Sequence, residues 1–162
     1  MKKIILKAKI NFKSELNLKN LSKINFEEKI ISKINILYDN KEFELQELFK
    51  IQVLKSDNNE LIIFGTNRNC DYLGWKWKKG ILRIKSDVGS FLGVQMIDGK
   101  IIVEGSCKHH AGSAITGGKI FIKSNPSQVN EKSVVLPIGT ILSIPLSFSA
   151  LINLVNSSLE IP

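Results

Sequence analysis

Cys107-Lys108-His109-His110 is the one place in this 162-residue chain where a thiol and imidazoles cluster, since the chain has two histidines and two cysteines in all. A thiol and two imidazoles suggest metal ligation or acid–base and nucleophilic chemistry. The spacing argues against both. Zinc sites draw on separated ligand pairs, a C-x₂₋₄-C with a distant H-x₃₋₅-H, and adjacent side chains on an extended segment point to opposite faces. Counting back from His110 in steps of 19 residues meets Phe91 and then Tyr72. His110 is therefore expected to fill an aromatic column and His109 to face outward. No catalytic residue and no metal ligand is assigned.

The step of 19 organises the stretch 59–124. Gly74, Gly93 and Gly112 share it, as do Gly80, Gly99 and Gly118. Trp77, Met96 and Ile115 occupy one large apolar column, and Leu73, Leu92 and Ala111 another. After each glycine of the second set comes a short β-branched run: Leu82-Arg83-Ile84, Ile101-Ile102-Val103 and Ile120-Phe121-Ile122, with Leu61-Ile62-Ile63 ahead of them and two extra residues in the intervening Thr66–Cys70 loop. A period near twenty with glycine corners predicts a short parallel β-helix of about three coils, in which stacking buries a face that no single coil can bury. Equivalent residues then lie ~4.8 Å apart, and Ile84, Val103 and Ile122 join the stacked core. Glycine is expected at the corners for its access to positive φ. Cys70 and Cys107 lie nearly two periods apart, ~9–10 Å, too far for a disulfide. Reduced thiols suit a cytoplasmic protein.

Outward strand positions should be polar, yet Ile62, Ile102 and Phe121, interrupted by Arg83, make an apolar stripe, with Trp75 near a corner. Such a stripe on a rigid scaffold marks a partner interface, or a face that the chain's own ends cover. Trp77 belongs to the core column.

The balance of 23 Lys+Arg against 15 Asp+Glu, net +8, raises the question of nucleic acid. The basic residues are scattered lysines, with arginine only at positions 68 and 83 and no aromatic interleaving, which argues against a nucleic-acid partner. Lys7 and Lys9 interrupt the first apolar run too early for a signal peptide.

Ahead of the repeats, residues 1–58 predict a strand over Ile4–Phe12 with Leu6, Ala8, Ile10 and Phe12 on one face. A short helix from Phe26 to about Lys33 follows an Asn25/Glu28 cap, then a turn at Asp39-Asn40, a helical turn over Glu44–Phe49 and a strand at Ile51 and Val53. Behind the repeats, within residues 125–162, Ser133 to Leu159 carries no charged residue. Pro137, Pro145 and several serines make it a poor membrane helix, so it is expected to cap the open end of the repeats, with Pro145 ending one strand and Phe148–Val155 a further apolar segment.

The residues Asp71-Tyr72-Leu73-Gly74 and Ser90-Phe91-Leu92-Gly93-Val94-Gln95-Met96-Ile97-Asp98-Gly99-Lys100-Ile101-Ile102-Val103-Glu104-Gly105 resemble the GXGXG repeat of the C-subunit family of formylmethanofuran dehydrogenase. That family includes the C subunit of the bacterial formyltransferase/hydrolase complex. The same repeat forms the carboxy-terminal domain of the large glutamate synthase subunit. The leader Leu45-Gln46-Glu47-Leu48-Phe49-Lys50-Ile51 is similar to the segment ahead of the repeats in the C subunits, whereas Ser86, Ser124 and Lys108 depart from the glycine pattern. The resemblance implies a mainly β chain acting as a non-catalytic subunit in tetrahydromethanopterin-linked one-carbon metabolism, with the other subunits as partners and no cofactor of its own. A free-standing β-solenoid binding module is the alternative. A hexapeptide-repeat acyltransferase is disfavoured, because its coils advance in 18 residues rather than 19.

Overall fold

The computed structural model describes residues 1–26 and 31–123, together with the strands 132–135 and 141–144. In chain order the elements are β1 (Lys2–Ala8), β2 (Leu16–Asn17), a 3-10 helix (Lys19–Lys23), β3 (Asn35–Tyr38), β4 (Lys41–Glu44), α1 (Leu45–Leu48), β5 (Phe49–Lys55), β6 (Glu60–Phe64), β7 (Cys70–Asp71), β8 (Ile81–Ile84), β9 (Lys100–Val103), β10 (Lys119–Ile122), β11 (Lys132–Val135) and β12 (Ile141–Ile144). The protein is mainly β with little helix. The eight-stranded sheet runs β12-β11-β10-β9-β8-β6-β1-β5, and the four-stranded sheet runs β4-β3-β2-β7. Both sheets mix parallel and antiparallel pairs.

The 19-residue period appears as strand register. Leu82 lies beside Ile101 and Ile101 beside Ile120, while Ile84 lies beside Val103 and Val103 beside Ile122, all in parallel pairs. Leu61 and Ile63 extend both columns through β6, and Ile4 and Leu6 extend them through β1. β1 therefore adds a further parallel strand to the run, and the sheet continues across the expected boundary at residues 58 and 59. These aliphatic columns are buried from Ile4 through Val103; the last member, Ile122, is only half-buried where the parallel run gives way to antiparallel β11.

Local chemistry explains the leader. Asp39 and Asn40 take φ of 51° and 59° in the β3–β4 turn, a conformation that short polar side chains tolerate. At the start of α1 the Glu47 carboxylate accepts the Glu44 N–H at 2.6 Å, closing a capping box. The strand expected over Ile4–Phe12 is shorter, and Ile10 is 45% exposed. Ala8 pairs with Phe49, and the residues before Phe49 belong to α1, so Ile10 has no strand to pair with. Phe12 is buried nonetheless, edge-on to Tyr38 and tilted against Phe49. The helix expected from Phe26 to Lys33 falls partly on residues 27–30, outside the described residues; Phe26 and Ile31 on either side are buried. The 3-10 helix at Lys19–Lys23 has no counterpart among the elements expected from the sequence.

At the far end, antiparallel β11 and β12 extend the sheet beyond β10, and β12 ends directly before Pro145. The segment Phe148–Val155 lies outside the described residues. Among the described residues no helix is long and apolar enough to cross a membrane.

Candidate interaction surface

Each repeat carries a corner, residues 72–76, 91–95 and 110–114, whose backbone alternates into the left-handed region. Tyr72, Gly74 and Lys76 have φ of 59°, 70° and 50°; Phe91, Gly93 and Gln95 have 62°, 62° and 55°; His110, Gly112 and Ala114 have 61°, 67° and 55°. Hydrogen bonds between repeats hold this geometry, as where Phe91 donates to the His109 carbonyl at 2.9 Å and Gly93 to the Leu73 carbonyl at 2.7 Å. The central glycines answer a lack of space. A Cβ on Gly74 would stand 2.5 Å from Cδ1 of Ile101, and one on Gly93 would run into Cδ1 of Ile120. In the second set, a Cβ on Gly99 would meet the Gly80 carbonyl oxygen at 2.7 Å.

Left-handed backbone at bulky residues is costly. Here it aims three rings along one line. Tyr72 stacks on Phe91 at 4.7 Å with planes 8° apart, and Phe91 stacks on His110 at 5.1 Å and 11°. Those separations match the strand spacing, which is why like rings meet. The column is at the surface: Tyr72 and Phe91 are half-buried and His110 is exposed, with the His109 ring 6.4 Å away and tilted 64°. The aromatic column was legible in the sequence, whereas its left-handed backbone and its exposure carried no sequence signal.

Two carboxylates tie neighbouring repeats together. Asp71 Oδ1 accepts the Ser90 N–H at 2.6 Å, and Asp87 Oδ1 accepts the Ser106 N–H at 2.7 Å. Both thiols are inert at neutral pH. Burial pushes Cys70 up to about 11, against a hydrogen bond from the Asn67 backbone and with the Asp71 charge adding to the rise. Burial likewise pushes Cys107 up to about 11, and its thiol donates to the Gly89 carbonyl at 3.3 Å. Neither is disulfide-bonded. Among the described residues no group of three or more His, Cys, Asp or Glu is placed to hold a metal ion.

The stripe expected on the strands is one register row on the outer face of the large sheet: Ile62 beside Arg83, Arg83 beside Ile102, Ile102 beside Phe121, with Ile5 of β1 adding to it beside Ile62. Ile5, Ile62 and Ile102 are half-buried. Phe121 departs from expectation, being 5% exposed: β11 pairs along its far side, and Lys100 Nζ lies 5.8 Å from the ring centroid. Arg83 is neutralised within the row, its Nε donating to Glu60 at 2.9 Å while Lys3 approaches the same carboxylate at 3.5 Å. Trp75 sits instead at the first corner, half-buried, with the ammonium groups of Lys19 and Lys76 at 4.1 and 4.7 Å from its ring. Of the stacked residues, Trp77, Met96 and Ile115 are buried, with Trp77 edge-on to Phe26 at 6.4 Å and donating to the Gly80 carbonyl at 3.2 Å.

No protein-family model and no curated protein matches the sequence. Among solved structures, the chain is similar to a chain in the crystal structure of the formyltransferase/hydrolase complex FhcABCD from Methylorubrum extorquens in complex with methylofuran. The two are 30% identical with a TM-score of 0.63, over 74% of this chain and 46% of the other. The chain thus spans about half the length of its structural neighbour and is related to that complex through it.

Proposed function

We propose that the chain is a non-catalytic scaffold subunit of a formyltransferase/hydrolase complex in tetrahydromethanopterin-linked one-carbon metabolism, the counterpart of its C subunit. The 19-residue repeats are read as coils of a short right-handed parallel β-helix of the GXGXG type that the C subunits share with glutamate synthase. The observation carrying this reading is the register Leu82–Ile101–Ile120, one repeat per strand, in a chain 30% identical to one found in such a complex. Support for a scaffold role comes from the side chains best suited to chemistry: both thiols are held protonated by burial, and His110 stacks on Phe91. In this reading the formyl chemistry, the carrier and any cofactor belong to the other subunits, and the assembly works in the cytoplasm. The row Ile5, Ile62 and Ile102 is the interface, a half-buried aliphatic strip flanked by charge.

Co-expression of the tagged chain with the catalytic subunits of such a complex tests the proposal. They should co-purify, and Ile102→Asp should abolish co-purification while leaving the thermal midpoint of the isolated chain within a few degrees. Recovery of the tagged chain only as a free monomer would overturn the reading and favour a free-standing binding module.

A further inference from the structure

The large sheet ends at β5, and the hydrogen bonds at either end of the β1–β5 ladder decide which way that strand's backbone points. Ser56 donates to the Met1 carbonyl and Lys9 to the Leu48 carbonyl. In an antiparallel pair such bonded partners recur at every second residue, so residues 50, 52 and 54 exchange bonds with β1. The N–H and C=O groups of Ile51, Val53 and Lys55 consequently face away from β1. Among the described residues no strand pairs with that edge.

Two observations indicate what the edge fits. Val53 is 48% and Leu54 40% exposed, on opposite faces of the strand, and a concavity of about 310 Å³ lined by Ile5, Lys7, Lys50, Ile51 and Gln52 lies beside them. Around this apolar centre, β1 and β5 carry Lys2, Lys3, Lys7, Lys50 and Lys55 and no acidic residue; Glu60 on the next strand is engaged with Lys3 and Arg83. Lys50 and Lys55 bracket Val53 and Leu54, ~17 Å apart along the strand. The geometry points to β5 as the docking edge for an extended acidic segment of a partner polypeptide, added as a further strand with apolar residues opposite Ile51, Val53 and Leu54 and carboxylates opposite Lys50 and Lys55.

Charge separates this occupant from the others. A second copy of the chain would set lysines against lysines. The chain's own stretch 133–159 has no charge to offer, and β11 and β12 form the opposite end of the sheet.

The probe is a labelled, end-capped peptide, Glu-Glu-Val-Thr-Val-Thr-Val-Glu-Glu, with a control that replaces every glutamate by lysine. The full chain should bind the acidic peptide at least tenfold more tightly at low salt, with slowed hydrogen exchange at the amides of Ile51, Val53 and Lys55. Val53→Pro deletes one outward donor without taking a bond from the β1 ladder, and should cost at least tenfold in peptide affinity. Equal binding of both peptides would overturn the inference, as would amides already protected in the chain without peptide. The assay needs no component of a formyl-transfer complex, so its failure is distinct from failure of that assignment.

Discussion

Strands and corners of the same repeats obey opposite rules. Along β6, β8, β9 and β10 the inward positions exchange one aliphatic for another, Leu61, Leu82, Ile101 and Ile120, and the backbone is ordinary extended chain. At the corners the side chains range from Tyr72 through Phe91 to His110, while the backbone repeats its left-handed alternation to within a few degrees. Strands keep burial and let shape vary within it; corners keep conformation and let chemistry vary on top of it. Glycine is required in neither case by conformation alone, since Tyr72, Lys76, Phe91, Gln95 and His110 all hold positive φ. It is required where a Cβ has nowhere to go.

The sharpest way to break that contrast is Gly99→Ala. The added methyl meets a backbone oxygen that cannot swing aside, on top of the strain of positive φ, and the expected loss in a denaturant titration is about 4 kcal/mol. Gly93→Ala meets the end of the Ile120 side chain instead and should cost about 2 kcal/mol. Ile120→Val removes that Cδ1, so the double variant should be no less stable than Gly93→Ala by itself, although Ile→Val alone costs about 1 kcal/mol. Simple additivity of the two losses would show that space does not decide the position. Smaller still is the test at Phe91: both Phe91→Ala and Phe91→Gly remove the ring, but glycine also relieves φ of 62°, so the glycine variant should be the more stable by about 1 kcal/mol. The reverse order would mean that the corner stores no strain.

The thiols supply the last measurement. Because the folded state holds Cys70 and Cys107 at about 11 against an ordinary 9.0, the unfolded chain loses these protons first as pH rises. Their contribution is whole below pH 9 and is lost between about 9 and 11, at up to ~1.4 kcal/mol per pH unit for each thiol. The midpoint of the Cys70→Ala/Cys107→Ala variant should fall less over that range than that of the unaltered chain; parallel profiles would contradict the burial assigned to them.

How much of this was legible follows from which forces leave a periodic trace. Spacing showed in Gly74, Gly93 and Gly112 and in the aliphatic runs, and the structure returns it as strand register. The ring column at Tyr72, Phe91 and His110 was visible for the same reason. Its surface position was not, because burial depends on what covers a residue from elsewhere in the chain. Phe121 failed in the opposite sense: alternation placed it outward, and pairing with β11 buries it. Nor did alternation reveal that β1 joins the parallel run, since its partner β6 lies more than fifty residues away in sequence and a strand's neighbours are not written in its own residues.

The ion pair between Glu60 and Arg83 has a consequence for how such a chain finds its alignment. Repeats that resemble one another invite a shift by one whole unit, in which every aliphatic would find an aliphatic and little would be lost. Glu60 penalises it. Moved along by 19 residues, its nearly buried carboxylate would exchange the Arg83 guanidinium for the Ile102 side chain, with Lys100 in place of Ile81 beside it. A flexible ammonium does not reproduce the fixed N–H of a guanidinium, and loss of a hydrogen bond to a charged group costs about 1.5–3 kcal/mol. One of the chain's two arginines thus works as an index mark, distinguishing otherwise interchangeable strands and setting the native pairing ahead of its nearest competitor.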